Sequence, residues 1–149
     1  MEKGHMIPEQ PTPPTPSLTA MLVCDTTIRD AETGKVSLIG IFERIVTPAF
    51  PATHGSLSVY AKIADAEGAY AFRLELRHLP TLQLVGQVET PPAVITGRLE
   101  SQELIFRVDH LVLPAPGRYE FRLFANGHFV GQKAFEVSPP PPSPPSAHV

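Results

Sequence analysis

Hydrophobic residues recur at every second position along most of the chain. Tyr70, Phe72, Leu74 and Leu76 alternate with Ala71, Arg73, Glu75 and Arg77. Successive side chains of a strand point to opposite faces, so this run predicts a strand with one dry face and one wet one. Tyr119, Phe121 and Leu123 against Arg118, Glu120 and Arg122 repeat the pattern, as do Leu57, Val59, Ala61, Ile63 and Leu104, Phe106, Val108. Turn chemistry separates the runs. Asn126-Gly127 lies between two of them and tolerates positive φ at both positions, the signature of a tight hairpin. Ala66-Glu67-Gly68, Asp30–Lys35 with its Thr33-Gly34, and Leu79-Pro80-Thr81 punctuate the others. Eight strands are predicted, over about 20–29, 36–46, 57–65, 69–78, 82–89, 103–111, 117–125 and 128–137. Thr96–Gln102 has room for one helical turn. The run Val36–Val46 is apolar on both sides, which predicts a strand covered on both faces or paired at an interface.

Short antiparallel strands with turns between them make a β-sandwich or a small barrel. Leu111–Leu113, then Pro114-Ala115-Pro116-Gly117, then Tyr119 two residues after the glycine match a tyrosine corner, in which the hydroxyl ties the start of a strand to upstream backbone. The cysteine that follows two positions later in antibody domains is Phe121 here, and the chain has no Trp. The expected fold is therefore an all-β, antiparallel immunoglobulin-like sandwich of about eight strands, without the antibody-type disulfide. A small eight-stranded barrel is the alternative.

Composition sets the boundaries. Of the 18 prolines among 149 residues, five lie in residues 1–18 and six in residues 139–149, whereas all eight Phe and all three Tyr lie between. Proline with Ser and Thr and almost no large apolar side chain cannot bury enough surface to offset chain entropy, so both ends are expected to be disordered tails flanking one domain at 19–138. Gly4-His5-Met6 has the form of a cloning junction, which would put the native start at Met6. The formal net charge is −3, without the basic footprint that phosphate neutralisation needs, so nucleic acid is excluded as a partner. No apolar run is long enough for a transmembrane helix, and the polar, proline-rich start lacks the core of a secretory signal. One cysteine allows no internal disulfide. Together these features place the protein in the cytoplasm, away from membranes.

The runs Met21–Asp30 (Met-Leu-Val-Cys-Asp-Thr-Thr-Ile-Arg-Asp), Ser37–Glu43 (Ser-Leu-Ile-Gly-Ile-Phe-Glu) and Tyr119–Leu123 (Tyr-Glu-Phe-Arg-Leu) resemble a bacterial domain family of unknown function. The resemblance covers Thr19–Val137. It implies a cytoplasmic all-β domain and carries over no catalytic residue.

Chemistry is sparse. A cysteine nucleophile needs a thiolate beside a histidine held by a third group; Cys24, on the strand side shared with Leu22 and Ala20, reads as a small core residue, with Asp25 on the opposite face. No two of the six histidines have zinc-site spacing, and a convergence of His78, His110 and Asp109 would have to come from the fold. His78 and His128, at strand ends, read as solvated turn residues. Asp25, Asp30 and Glu32 do not follow the calcium-loop order; Asp30 reads as a turn cap. No phosphate-cradling loop and no nucleophile elbow is present. No catalytic, cofactor or metal residue is therefore assigned.

The charged stripes are more informative. Arg73, Glu75, Arg77 and Arg118, Glu120, Arg122 share wet faces and, on adjacent strands, form an Arg/Glu lattice worth about 0.2–1 kcal/mol per facing pair. Such a face either solubilises or recognises. Phe124 interrupts it, pointing outward near a hairpin tip, and with Val130 and Phe50 makes a candidate contact patch; Phe50, in Thr47-Pro48-Ala49-Phe50-Pro51, equally suits a plug for the end of the sandwich. The Pro139–Pro145 run is expected to be polyproline II, a spacer more than a ligand because no Arg or Lys orients it. The expected function is a non-enzymatic interaction or assembly module contacting a protein partner or a second copy of itself. A small ligand-binding barrel and a Cys/His-dependent enzyme are the alternatives.

Overall fold

Alternation becomes layering. In a computed structural model, which describes residues 12–142, the strands are β1 (Ser17–Arg29), β2 (Val36–Ile41), β3 (Arg44–Val46), β4 (Ala52–Ala64), β5 (Gly68–Tyr70), β6 (Phe72–His78), β7 (Gln83–Glu89), β8 (Ala93–Ile95), β9 (Gln102–Leu113), β10 (Gly117–Ala125) and β11 (His128–Ser138), and the described residues contain no helix. One sheet has the order β2-β1-β4-β9 and the second β3-β11-β10-β6-β7; β5 and β8 form a two-stranded ribbon. Among the described strands only β3 and β11 pair in parallel. Two open sheets face each other and none closes on itself, so the fold is the sandwich and the barrel alternative is overturned. With β4 beside β9 in one sheet and β6-β10-β11 together in the other, the pairing follows the immunoglobulin-like order.

Each sheet contributes one dry face. Val23, Leu57, Val59, Ala61, Ile63 and Phe106 from the first meet Phe72, Leu74, Leu76, Tyr119, Phe121 and Leu123 from the second. Tyr119 stacks on Phe135 with ring centroids 5.6 Å apart, and Phe121 tilts against the same ring. The tyrosine corner forms: the Tyr119 hydroxyl donates to the Ala115 carbonyl and accepts from the Ala115 N–H. On one side the sandwich is shut by close approach, because a Cβ on Gly131 would overlap Leu18 of β1. On the other side, between β7 and β9, a groove of about 270 Å³ opens over Leu74, Leu76 and Phe121.

Three expectations are corrected. The single strand at 36–46 is two strands in different sheets. Gly40 turns the chain with φ +71°, in a spot where any Cβ would overlap the Asp25 carboxylate, after which Arg44–Val46 pairs with β11. The strand expected at 69–78 is likewise split, its first residues pairing with an unforeseen β8. The first tail ends sooner than residue 18. Strand β1 starts at Ser17, Pro16 is buried, and Tyr70 donates its hydroxyl to the Pro14 carbonyl at 2.7 Å. Residues 1–11 and 143–149, including most of both expected tails, lie outside the described residues.

The β1–β2 hairpin supplies a third layer. Ala20 pairs with Lys62, which pairs with Glu103. Arg29, nine residues further along β1, would be about 30 Å away in a straight strand. Instead its guanidinium is 4.0 Å from the Glu103 carboxylate. The hairpin therefore doubles back over the outer face of the first sheet. Its turn is held by Asp30, whose Oδ1 accepts the N–H groups of Glu32 and Thr33; these bonds pull the Asp30 carboxyl below its usual range. Asp30 is the turn cap that the sequence suggests.

Candidate functional site

The Arg/Glu lattice is assembled. Strands β10 and β6 are neighbours, with Glu120 opposite Arg77, Arg122 opposite Glu75 and Phe124 opposite Arg73. Glu75 accepts from Arg73 Nε at 2.9 Å and from Arg77 Nε and Nη2 at 3.3 and 3.2 Å, while Arg122 Nε donates to Glu120 at 2.7 Å. Both carboxylates are nearly buried beneath the guanidinium groups that cover them. Arg118 is placed at the rim, 3.7 Å from Glu136. The charges of this face are largely spent on one another.

Phe124 is covered as well. The guanidinium carbon of Arg73 lies 4.4 Å from its ring centroid, and Phe129 meets it edge-on at 5.7 Å. Phe129, not Phe124, is the exposed aromatic of this hairpin. Phe50 packs against the core at the opposite end of the sandwich, where Ala52 pairs with Leu113, and Val130 also rests on the core. The patch of Phe124, Val130 and Phe50 expected from the sequence is therefore not assembled, and Phe50 takes the plug position.

Cys24 is buried, but on the face of its sheet opposite the main core. Its neighbour Val23 faces the core beside Val59, while Cys24 pairs with Ser58 at the base of the folded-back hairpin. Its Sγ donates to the Thr26 carbonyl, and burial, reinforced by the charge of Asp25, raises the thiol pKa. Under the same hairpin Tyr60 donates its hydroxyl to Glu103 in a short hydrogen bond, and burial together with that carboxylate pushes the phenol up to about 12. No group of three His, Cys, Asp or Glu side chains among the described residues could hold a metal ion. His78 is not a solvated turn residue. It is buried, 4.8 Å from the Tyr119 ring, with Nε2 2.9 Å from the Pro116 carbonyl and Nδ1 2.8 Å from the Thr81 hydroxyl. A carbonyl only accepts, so Nε2 carries a proton, and Nδ1 shares a hydrogen bond with the Thr81 hydroxyl. The ring thereby pins the β6–β7 turn to the tyrosine corner. Its signal was parity: His78 continues the inward series Phe72, Leu74, Leu76.

The feature that sequence reasoning left as a choice, covered or interfacial, is β2. Among the described residues it pairs with β1, and no strand pairs with its other edge. Thr27, Arg29, Val36 and Leu38 share the side turned to the sheet, where Arg29 meets Glu103. The opposite side carries Ile28 and Ile39, which with Ile41 remain 51, 47 and 54% exposed.

This architecture coincides with a known family: DUF6941, described as a family of unknown function, matches residues 19–138. The chain belongs to the DUF6941 family. The match spans the whole sandwich, from β1 to the end of β11, and leaves out both proline-rich ends. No curated protein matches this DUF6941 sequence. Among solved structures, it is similar to a β-glucosidase from Listeria innocua at 12% identity, over 65% of this chain and 15% of that one, with a TM-score of 0.40. It is also similar to the Listeria innocua β-glucosidase in complex with isofagomine, at 9% identity, over 83% of this chain and 16% of that one, again at 0.40. The DUF6941 chain thus spans about a sixth of the length of these proteins. No helix among its described residues is long and apolar enough to cross a membrane.

Proposed function

We propose that this DUF6941 domain is a non-enzymatic protein-interaction or assembly module working in the cytoplasm, and that the β2 edge of the folded-back hairpin is its contact surface. The observation that carries this reading is the contrast between β2 and the other edges of the two main sheets. An exposed edge presents unpaired N–H and C=O groups, and proteins blunt such edges with charges, bulges, kinks or brevity. Strand β9 bears Glu103, Arg107 and Asp109 and is kinked at His110, whose φ is +52°. Strand β7 ends in Glu89 and carries a register shift against β6. Strand β3 is three residues long and includes Arg44. Strand β2, Val36-Ser37-Leu38-Ile39-Gly40-Ile41, has neither charge nor proline and keeps two isoleucines exposed, and its one kink, at Gly40, comes near its end and leaves Val36–Ile39 straight.

Under this reading the Arg/Glu face solubilises, and Cys24 has a packing role. The test compares the wild-type domain with Ile39→Lys, a change at an exposed side chain that leaves the fold intact. Sedimentation over a concentration series and capture on immobilised domain are both measured. The expected result is an association, with itself or with another protein, that Ile39→Lys weakens at least about tenfold. A domain that neither self-associates nor captures any protein in a β2-dependent way overturns the reading.

A further inference from the structure

We infer that the occupant of the β2 edge is a second copy of the same edge, paired antiparallel about a two-fold axis near Leu38, so that the folded-back hairpins of two molecules join into one four-stranded layer. The inference rests on the interaction reading and names its partner.

Three observations support a second copy. First, the backbone is ready for it. Asp30 N–H donates to the Lys35 carbonyl, so Lys35 points its polar backbone at β1. In an antiparallel ladder this orientation alternates, which turns the N–H and C=O groups of Val36 and Leu38 away from β1, toward the empty edge. An antiparallel copy centred on Leu38 brings the same groups to meet them, each Leu38 donating to and accepting from the other. Second, charge favours this orientation. No charged side chain lies in Val36–Phe42, so two molecules of the same net charge meet there without repulsion across the seam. Lys35 precedes the strand and Glu43 follows it. Antiparallel pairing sets the Lys35 end of one copy against the Ile41 end of the other and keeps the two Lys35 apart, whereas parallel pairing would set Lys35 beside Lys35; Glu43 itself is paired with Lys133. Third, the side chains are self-complementary. Ile39 and Ser37 lie on one side of the strand with Ile28 in the adjacent row, so two copies join their exposed isoleucines into a single apolar strip across the axis. Such a contact is isologous and closed, which yields dimers and not fibres.

A six-residue strand pair with a few isoleucines is smaller than a standard interface of about 1,600 Å². The dimer is accordingly expected to be weak, forming between about 10 μM and 1 mM protein.

Sedimentation equilibrium of the full chain across that range is the first measurement, expected to show a monomer giving way to a dimer. Two variants then separate edge pairing from other contacts. Leu38→Pro removes an N–H that the ladder turns away from β1, and Ile39→Lys places two like charges beside the axis; each is expected to weaken dimerisation at least about tenfold. Near-ultraviolet circular dichroism of the buried Tyr119 and its neighbours checks that both variants fold, and should Leu38→Pro fail to fold, Ile39→Lys alone decides. The double variant Ser37→Cys/Ile39→Cys, whose two positions face each other across an axis at Leu38, is expected to give a disulfide-linked dimer under mild oxidation, whereas Gln87→Cys on the far edge is not. A chain that stays monomeric at the top concentration, or a dimer indifferent to Ile39→Lys, overturns the second copy as occupant. If the chain stays monomeric yet captures another protein in an Ile39-dependent way, the second copy is wrong and the interaction module stands. If neither association occurs, both fall.

Discussion

The guanidinium of Arg73 lies over the ring of Phe124, its central carbon 4.4 Å from the ring centroid, while its Nε donates to Glu75 at 2.9 Å. One side chain thus covers an aromatic that alternation turns outward and neutralises a carboxylate that alternation also turns outward. The outer face of the second sheet is a packed layer of its own, and its arginines stabilise more through coverage and hydrogen bonding than through surface attraction.

Arg73→Ala is therefore expected to lower stability by about 1–2 kcal/mol, losing the cation–π contact and one of the hydrogen bonds to Glu75. Arg118→Ala removes only a rim pair with Glu136 and should change stability by less than about 0.5 kcal/mol. Urea unfolding of the two variants in parallel measures the contrast; equal effects would show the face to be an ordinary charged surface.

Tyr119→Phe keeps the ring between His78 and Phe135 and removes only the hydroxyl that bonds to Ala115. The freed carbonyl and N–H belong to a half-buried corner, so the expected loss is about 1–3 kcal/mol. A lower urea midpoint with an unchanged slope would report it.

Alkaline pH should loosen the folded-back hairpin. Tyr60 has its phenol pushed up to about 12 by burial and by Glu103. A raised value in the fold means that protonated Tyr60 is favoured there, so its contribution is complete below the ordinary phenol value near 10 and is lost as the pH rises toward about 12. Tyrosinate absorbance should show Tyr60 titrating late in the wild-type chain and earlier in Glu103→Gln, where the carboxylate charge is gone. An identical titration in the two would remove Glu103 as a cause.

The Cys24 thiol is buried with its pKa raised and its Sγ directed at a backbone carbonyl. It should resist a thiol reagent such as dithionitrobenzoate in the folded domain and react fully in urea. Fast labelling of the folded domain would contradict this packing.

Much of the fold was legible in the chain because a period of two records which residues are dry, and dryness is the larger part of what holds a sandwich together. The parity of Tyr119, Phe121 and Leu123, the hairpin at Asn126-Gly127, the cap at Asp30 and the corner at Ala115–Tyr119 were all written locally, since each depends on residues within a few positions of one another. Parity carried the signal for His78 as well, but its place at a strand end read as solvated, and the structure buries it.

What alternation could not determine was where a strand leaves its sheet. Val36–Val46 reads as one apolar run, yet Gly40 is left-handed (φ +71°) with Asp25 close against it, and just past Ile41 the chain leaves for the other sheet. Nor could parity foresee that Arg29 would reach Glu103 across the outer face, or that Arg73 would close over Phe124. Those contacts join residues 74 and 51 positions apart, and distance along a strand says nothing about what folds back above it. The chain determined the two layers and the residues between them, because burial alternates with sequence; only the tertiary packing decided which outward apolar groups stay bare, because covering them depends on neighbours that the chain brings from elsewhere.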